Sequence, residues 1–396
     1  MDKRELEIYV HIPFCVRKCA YCDFLSFPAS ERTHETYTRS LLGEISRFED
    51  PGRYEVVSVY FGGGTPSLQD PGLTVTILDS IRKKFFIREG AEITIECNPG
   101  TLTDKKLALY RRAGFNRLSL GLQSAENELL LKLGSIHTWE KFAEEYTAAR
   151  AAGFSNISVD LMYGLPGQTC EMWRQTLEQV LSLPNERGDS DRPFGPEHIS
   201  AYSLIIEEGT PFWDRYHEDA QAKARGGDTL FLPDEQAEDQ MQRDLEEMLR
   251  QAGMHRYEIS NYALRGRESR HNTGYWIRRE YAGFGLGASG LIGSRRIRNT
   301  SDLDQYISSD GSAAEVTCLT REDEIEETMF LGLRMMEGVD LDRFEGSFGV
   351  RAEDLYEDVI LAMTSQGLLE IREGHLRLTA RGIEVSNLVM AEFLLD

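Results

Sequence analysis

The chain has 396 residues, which predicts one large domain with a smaller unit attached. Its 66 acidic and 44 basic residues give a formal net charge of −22, which disfavours nucleic acid and anionic membrane surfaces as partners. There is no apolar run of about 18 residues that could span a bilayer, and the charged start lacks the apolar core of a signal peptide. We therefore expect a cytoplasmic protein.

Short apolar runs alternate with amphipathic stretches in the first half of the chain. This alternation predicts βαβ units and a parallel sheet. The candidate strands are Glu7–Ile12, Val56–Phe61, Glu92–Cys97, Arg117–Gly121, Ile157–Met162 and Ile199–Leu204. The candidate helices are Thr33–Phe48, Gly72–Phe86, Asp104–Ala113, Glu126–Ala152 and Cys170–Leu183.

Glycine, cysteine or polar residues follow each of the six candidate strands. A doubly wound sheet would concentrate such residues at one switch point, whereas a barrel builds its site from many strand ends. The pattern therefore favours an α/β fold with a partial (β/α)6 TIM-type barrel.

The second half of the chain has a different organisation. Asp234–Gly253 predicts an amphipathic helix, and the uncharged Tyr281–Gly293, with five glycines, predicts close packing. Helices over Glu322–Met336 and Arg351–Gln366 with a hairpin over Leu368–Leu378 predict a winged-helix-like C-terminal domain, without the basic stripe that DNA binding needs. The predicted domains are a barrel core at 1–215, a connecting extension at 216–319 and the C-terminal domain at 320–396.

Three of the six cysteines lie within eight residues, directly after the first candidate strand. The spacing of Cys15, Cys19 and Cys22 suits three irons of a [4Fe–4S] cluster, whose fourth iron stays open to a small chelating molecule. Structural zinc would need a fourth ligand that the sequence does not offer at a suitable spacing. The other three, Cys97, Cys170 and Cys318, are expected to be buried core residues.

A CxxxCxxC motif after the first strand of such a barrel resembles the radical S-adenosylmethionine (SAM) superfamily, in which the open iron binds SAM. The resemblance implies that Gly63, Gly64 and Thr65 of the Phe61–Pro66 segment receive the methionine amino group. It also implies SAM contacts elsewhere. These are Tyr9, Tyr21, Glu96, Gln123 and Asp160. Ser135 departs from the pattern, because relatives often carry an arginine there.

The motifs HIPFC at 11–15, FGGGTP at 61–66 and DLMYGLP at 160–166 resemble the HemN/HemW family over essentially the whole chain. HemN-type oxidases carry a fourth cysteine where this chain has Phe24, and a longer segment before the cluster than the 14 residues that precede Cys15. The sequence His271-Asn-Thr-Gly-Tyr-Trp276 resembles the HNxxYW motif of the haem chaperones. The resemblance implies that His271 is a ligand of the haem iron and that Tyr275 and Trp276 pack against the porphyrin face.

The favoured interpretation is a haem chaperone that holds a [4Fe–4S] cluster, SAM and haem and delivers haem to apo-haemoproteins such as respiratory cytochromes. The alternative is an oxygen-independent coproporphyrinogen III oxidase, which decarboxylates its substrate to protoporphyrinogen IX. The residues leave enzyme status open, because bound SAM is not necessarily cleaved. The family suggests a monomer or a dimer.

Overall fold

The computed structural model describes residues 3–185, 195–312 and 314–395. Within these residues, twelve strands form one sheet with the order β12-β11-β10-β9-β1-β2-β3-β4-β5-β6-β8-β7. Its centre is a run of parallel strands in chain order, which confirms the predicted α/β barrel class. These strands are β1 (Arg4–Ile12), β2 (Tyr54–Gly63), β3 (Ile87–Cys97), β4 (Arg117–Gln123), β5 (Ile157–Tyr163) and β6 (His198–Ser203).

The connecting helices cover the outer face of the barrel. They are α1 (Glu31–Arg47), α2 (Pro71–Lys84), α3 (Asp104–Ala113), α4 (Asn127–Leu133), α5 (Trp139–Ala151) and α6 (Cys170–Leu181). The predicted helix over Glu126–Ala152 is wrong as one element. Gly134 ends α4 in the left-handed conformation with a φ of 77°, and the Thr138 hydroxyl caps α5 by accepting from the Lys141 amide.

Side chains alternate along the strands between an apolar outer face and a polar interior. Ile8, Val59 and Leu118 belong to the apolar cluster under the helices. The interior layer instead contains charged and polar side chains that contact one another across the strands. It includes Glu7, Ser58, Glu92, Arg117, Ser158 and His198. Many barrels of this type fill the interior with branched apolar residues, whereas this interior is polar, and Arg117 of this layer lines a cavity.

The connecting region extends the sheet at both edges. It contains α7 (Pro211–Ala224), α8 (Glu235–Gln251), β7 (His255–Glu258), β8 (Asn261–Ala263), α9 (Arg270–Trp276), β9 (Tyr281–Phe284), β10 (Ser289–Ile292), β11 (Arg295–Asn299), α10 (Leu303–Ser308) and β12 (Ala314–Cys318). The predicted close packing of the glycine-rich segment is confirmed, since a Cβ on Gly283 would overlap the Ser289 carbonyl. Cys318 is exposed on β12, so its predicted core position is wrong, whereas Cys97 is buried.

The C-terminal unit has an apolar cluster of its own, with members from Ile325 to Phe393. Its elements are α11 (Arg321–Gly332), β13 (Val339–Asp340), α12 (Leu341–Phe348), α13 (Ala352–Leu355), α14 (Glu357–Ser365), β14 (Leu369–Arg372), β15 (His375–Leu378), α15 (Ala380–Glu384) and α16 (Ser386–Ala391). This order matches the predicted winged-helix-like arrangement, with the hairpin turning at Glu373 and Gly374. The predicted helix over Arg351–Gln366 is interrupted at Tyr356. The exact domain boundaries stay predictions.

No helix in the described part of the chain is both long enough and apolar enough to cross a membrane.

Candidate functional site

The three clustered cysteines lie on the loop after β1 and face one cavity of about 390 Å³ at the carboxyl ends of the parallel strands. The loop is fixed at several points. The Cys15 amide donates to the Phe27 carbonyl at 3.1 Å, and the Ala20 amide donates to the Leu133 carbonyl at 3.0 Å. Arg17 donates to the carbonyls of Gly134 and Ser135, both at 2.9 Å. We call this space the cysteine cavity.

The cysteine side chains are free thiols in a partly buried environment. Burial and the neighbouring cysteines raise the pKa of Cys19 to about 11, and burial also raises the pKa of Cys22. The raised pKa values mean that burial disfavours the thiolate form. Positively charged iron would stabilise the thiolates by binding them. Among the described residues, no three His, Cys, Asp or Glu side chains surround a single-ion position. In a [4Fe–4S] cube, each thiolate binds a different iron.

The glycine segment after β2 lies directly against the cysteine loop. A Cβ on Gly64 would come within 3.0 Å of the Cys15 sulfur and 2.8 Å of the Phe14 carbonyl oxygen. Gly63 has a φ of 118°, which L side chains rarely adopt. The Thr65 hydroxyl lies 3.5 Å from the Cys15 sulfur. Glycine is therefore needed here for close approach, which fits a segment that receives a ligand beside a cluster.

Glu96 is a buried carboxylate at the end of β3 that holds the glycine segment. The Tyr60 hydroxyl donates to its Oε1 at 2.7 Å, and the Gly63 amide donates to its Oε2 at 3.1 Å. Burial raises the pKa of Glu96 to about 7, and the charge of Asp160 contributes. An ammonium group in this cavity would favour the ionised form.

Other predicted cofactor contacts also line the cysteine cavity. Asp160 accepts from the Ser119 hydroxyl at 3.0 Å and from the Ser158 hydroxyl at 3.2 Å. Gln123 ends β4 with a φ of 70°, a strained conformation for a residue other than glycine. Tyr21 lies on the cysteine loop and packs near Phe212, with 6.4 Å between ring centres. The structure thus brings these side chains to one place.

Tyr9 is the exception among the predicted SAM contacts. Its hydroxyl forms a hydrogen bond of 3.0 Å with Nδ1 of His11, and its ring stacks near Tyr60 at 6.2 Å. It lines a different cavity, beyond Tyr60, so the structure does not bring it to the cysteine cavity.

The HNxxYW motif forms α9, which packs against the barrel interior. The Glu92 carboxylate accepts from the amides of Arg270 and His271, both at 3.3 Å, where the helix dipole favours negative charge. The His271 side chain is only 1% exposed. Burial, with the positive charges of Arg117 and Arg279, lowers its pKa to about 3, so the imidazole is neutral.

Both ring nitrogens of His271 already have partners. Nδ1 lies 2.9 Å from the Ser58 hydroxyl, and Nε2 lies 2.9 Å from the Tyr275 hydroxyl. The ring stacks on Tyr60 with 5.0 Å between centres and 16° between planes. In this conformation, His271 offers no free nitrogen to an iron atom.

Tyr275 and Trp276 line another cavity, of about 610 Å³, which we call the Trp276 cavity. Tyr9 and His11 of β1 line one side, and Phe330 and Leu331 of α11 line the other. The Trp276 indole nitrogen is buried without a hydrogen-bond partner. Arg278 and Arg296 also line this cavity, and Glu327 pairs with both of them.

Sequence reasoning missed Arg117, Tyr60 and Asn272, which all line the cysteine cavity. Arg117 is 2% exposed, and its Nε has no hydrogen-bond partner. A signal was available, because Arg117 shares the inward alternation of β4 with Ser119, Gly121 and Gln123, and a charged residue at such a position is rare. A buried cation beside carboxylates fits a cavity that binds a charged ligand.

Parallel strands around clustered cysteines and a glycine segment are the arrangement expected from the resemblance to radical SAM proteins. The family model described as "Radical SAM superfamily" matches residues 9–180, and the "HemN C-terminal domain" model matches residues 319–385. The structure is similar to that of coproporphyrinogen III oxidase (HemN) from Escherichia coli, with a TM-score of 0.82 and 23% identity over 99% of this chain and 90% of that one.

Two relatives show to which family within the radical SAM superfamily the chain belongs. The heme chaperone HemW of Lactococcus lactis is 35% identical over 98% of this chain and 97% of its own length. The heme chaperone HemW of Bacillus subtilis is 35% identical over 98% of both chains. The chain therefore belongs to the HemW family.

Proposed function

We propose that the protein is a haem chaperone that binds haem in the Trp276 cavity and delivers it to apo-haemoproteins in the cytoplasm, among them respiratory cytochromes. The observation that carries the proposal is the placement of the HNxxYW motif, whose Tyr275 and Trp276 line an aromatic cavity of about 610 Å³. Such a volume lies within the usual range for small-molecule sites. Arg278 and Arg296 line this cavity and pair with Glu327, so a carboxylated ligand would compete with Glu327 for them.

The cysteine cavity would hold the other cofactors. Cys15, Cys19 and Cys22 would bind the cluster, and Gly63, Gly64, Thr65 and Glu96 would position SAM beside it. A reduced cluster supplies the electron that SAM chemistry in this superfamily requires. The chain's own contribution is to exclude water and to hold the ligand charges with Glu96, Asp160 and Arg117. Catalysis would also need a substrate hydrogen next to the bound SAM.

Ligation of haem iron by His271 would require the imidazole to leave its buried position. At least one of its hydrogen bonds, to Ser58 or to Tyr275, must break. We therefore propose that haem first enters against Tyr275 and Trp276 and that His271 then turns toward the iron.

The test is a hemin titration of the purified protein, followed by the Soret band. Wild-type protein is expected to form a stoichiometric complex, and His271→Ala is expected to lose the stable complex. His255→Ala is the matched control, because this histidine is partly exposed and pairs with Glu268 outside the Trp276 cavity. Equal binding by the wild type and His271→Ala would reject His271 as the ligand.

An anaerobic assay with coproporphyrinogen III, reductant and SAM separates this proposal from the oxidase alternative. The chaperone proposal predicts no protoporphyrinogen. In a second assay, hemin-loaded protein mixed with an apo-cytochrome should transfer its Soret absorption to the recipient. Product formation in the first assay, with no transfer in the second, would favour the oxidase.

A further inference from the structure

The two cavities are separated by three aromatic rings, Tyr9, Tyr60 and His271, which we call the aromatic wall. Tyr60 lines the cysteine cavity, and Tyr9 lines the Trp276 cavity. His271 lies against both rings, with ring centres 5.0 Å from Tyr60 and 6.4 Å from Tyr9. The helix that carries His271 also reaches both spaces, because Asn272 lines the cysteine cavity and Trp276 lines the other.

The aromatic wall is in direct contact with the groups expected to hold SAM. A Cβ on Gly62 would lie 3.0 Å from the rings of both Tyr60 and Tyr9, and 3.1 Å from Oε1 of Glu96. The Tyr60 hydroxyl donates to that same oxygen at 2.7 Å. The position of the Tyr60 ring therefore fixes both the Glu96 carboxylate and the glycine segment.

His271 fills its side of the wall completely in this conformation. It is 1% exposed, and each ring nitrogen is already hydrogen-bonded. An imidazole that ligates iron in the Trp276 cavity must leave its stack on Tyr60. Tyr60 then keeps only the more distant Tyr9 ring, 6.2 Å away, as a stacking neighbour. The hydroxyl that donates to the Glu96 carboxylate is therefore held less firmly.

We propose that haem and SAM bind antagonistically through the aromatic wall, with His271 as the positioning residue that links them. The inference rests on the proposed function, because it requires that haem binds in the Trp276 cavity. It adds a regulatory role for SAM. SAM binding favours the buried position of His271 and so promotes haem release, whereas haem ligation loosens the SAM site. Such coupling must be reciprocal, because both ligands bias the same equilibrium.

The first test measures each affinity with and without the other ligand, on anaerobic protein reconstituted with its cluster. Labelled SAM is followed by equilibrium dialysis, and hemin is followed by its Soret band. Saturating hemin should raise the SAM Kd by at least about fivefold, the lower end of typical couplings, and saturating SAM should raise the hemin Kd by the same factor. A smaller ratio, or tighter binding, would overturn the proposal.

The second test needs no hemin and therefore separates this proposal from the proposed function. His271→Ala should raise the SAM Kd severalfold in haem-free protein, because Tyr60 loses the nearer of its two stacking neighbours. A residue that served only as a haem ligand would leave this value unchanged, and that result would overturn the proposal. Loss of hemin binding with an unchanged SAM Kd would thus support the proposed function alone.

A conservative variant guards against misfolding. Tyr60→Phe keeps the stacked ring but removes the hydroxyl that donates to Glu96, so the SAM Kd should rise. The ratio of the SAM Kd with hemin to the SAM Kd without hemin should fall toward one. Tyr356→Phe is the matched control, since this tyrosine packs against Phe393 and donates to its carbonyl in the C-terminal unit, away from the aromatic wall. If hemin raised the SAM Kd of Tyr60→Phe as much as it raises that of the wild type, the coupling would not pass through Tyr60.

Discussion

Two buried carboxylates of this barrel are stabilised by hydrogen-bond donors from neighbouring strands and from the glycine segment. Asp160 accepts from the hydroxyls of Ser119 and Ser158, and Glu96 accepts from Tyr60 and Gly63. Such groups would cost several kcal/mol if they were buried without partners. Arg117 differs, because its Nε lacks a hydrogen-bond partner and its charge acts on the carboxylates of Glu92 and Asp160 through space. The barrel interior therefore contains charged groups with which a charged ligand can pair.

The raised pKa of Glu96 predicts a pH dependence of SAM binding. Burial and the charge of Asp160 raise this pKa to about 7 against the opposing hydrogen bonds from Tyr60 and Gly63, so the free carboxyl is largely protonated at pH 6. Pairing with the SAM ammonium requires the ionised form, so affinity should rise between pH 6 and pH 8, by up to about tenfold per unit below the pKa. Isothermal titration calorimetry of cluster-loaded protein measures this dependence. Glu96→Gln should bind weakly at every pH in that range, and a flat wild-type profile would contradict the assignment.

A buried ion pair away from the site predicts a large effect on stability. Arg150 of α5 donates to the Glu197 carboxylate at 2.8 Å, and the Ile157 amide donates to the same oxygen at 3.0 Å. Arg150→Met leaves that carboxylate buried without its cation, and the free energy of unfolding should fall by about 3–5 kcal/mol. Urea unfolding followed by circular dichroism measures the change.

The matched control is Arg82→Met, which removes an exposed pair with Asp79 at 3.4 Å. Exposed pairs contribute little, so no measurable change is expected there. Equal effects of the two substitutions would show that burial does not set the contribution of the Arg150 pair.

At the scale of elements, the short helix α9 depends on its surroundings for its position. Its amino end is held by the Glu92 carboxylate, and the Ser269 hydroxyl accepts from the Asn272 amide at 3.3 Å. Gly274 faces the buried Glu7, where an added Cβ would overlap the carboxylate. The glycine within the HNxxYW motif is therefore explained by close packing of the helix against β1.

Gly274→Ala should displace α9 and thereby weaken both hemin and SAM binding, with a lower melting temperature. The comparison variant is Gly346→Ala in α12, where nothing lies within 4 Å of the added Cβ. There, the better helix propensity of alanine should raise stability by about 0.5–1 kcal/mol. Differential scanning fluorimetry with ligand titrations measures both variants. Unaltered binding by Gly274→Ala would reject the packing argument.

The strands of the barrel were predictable from sequence because period-two alternation and strand-end residues are local signals. The same signals and the family resemblance also predicted three parts of the candidate site, namely the cysteine loop, the Phe61–Pro66 segment and Asp160. The burial of His271 was not predictable, since its partners Ser58 and Tyr60 lie more than 200 residues away in the chain. The break at Gly134 had a local signal that the prediction overlooked, because a glycine that ends one helix is followed by Thr138, which caps the next.

At the scale of the whole molecule, the Trp276 cavity joins the barrel to the C-terminal unit. Glu327 of α11 pairs with Arg278 at 2.8 Å and also with Arg296 of β11. Phe330 and Leu331 of α11 line the cavity, although no sequence motif drew attention to them. The winged-helix-like unit therefore forms one side of the cavity that we propose to bind haem.

This shared cavity predicts which parts of the molecule respond to haem. Hemin in the Trp276 cavity should slow amide hydrogen exchange in α11, because the ligand would bridge the two units and oppose their local opening. Helix α14 contributes no lining residue to that cavity and should not respond. SAM should instead slow exchange in the cysteine loop and in the Phe61–Pro66 segment while leaving α11 unprotected. Hydrogen–deuterium exchange with mass spectrometry measures all of these segments in one experiment, and protection by hemin that is confined to the barrel would place the haem elsewhere.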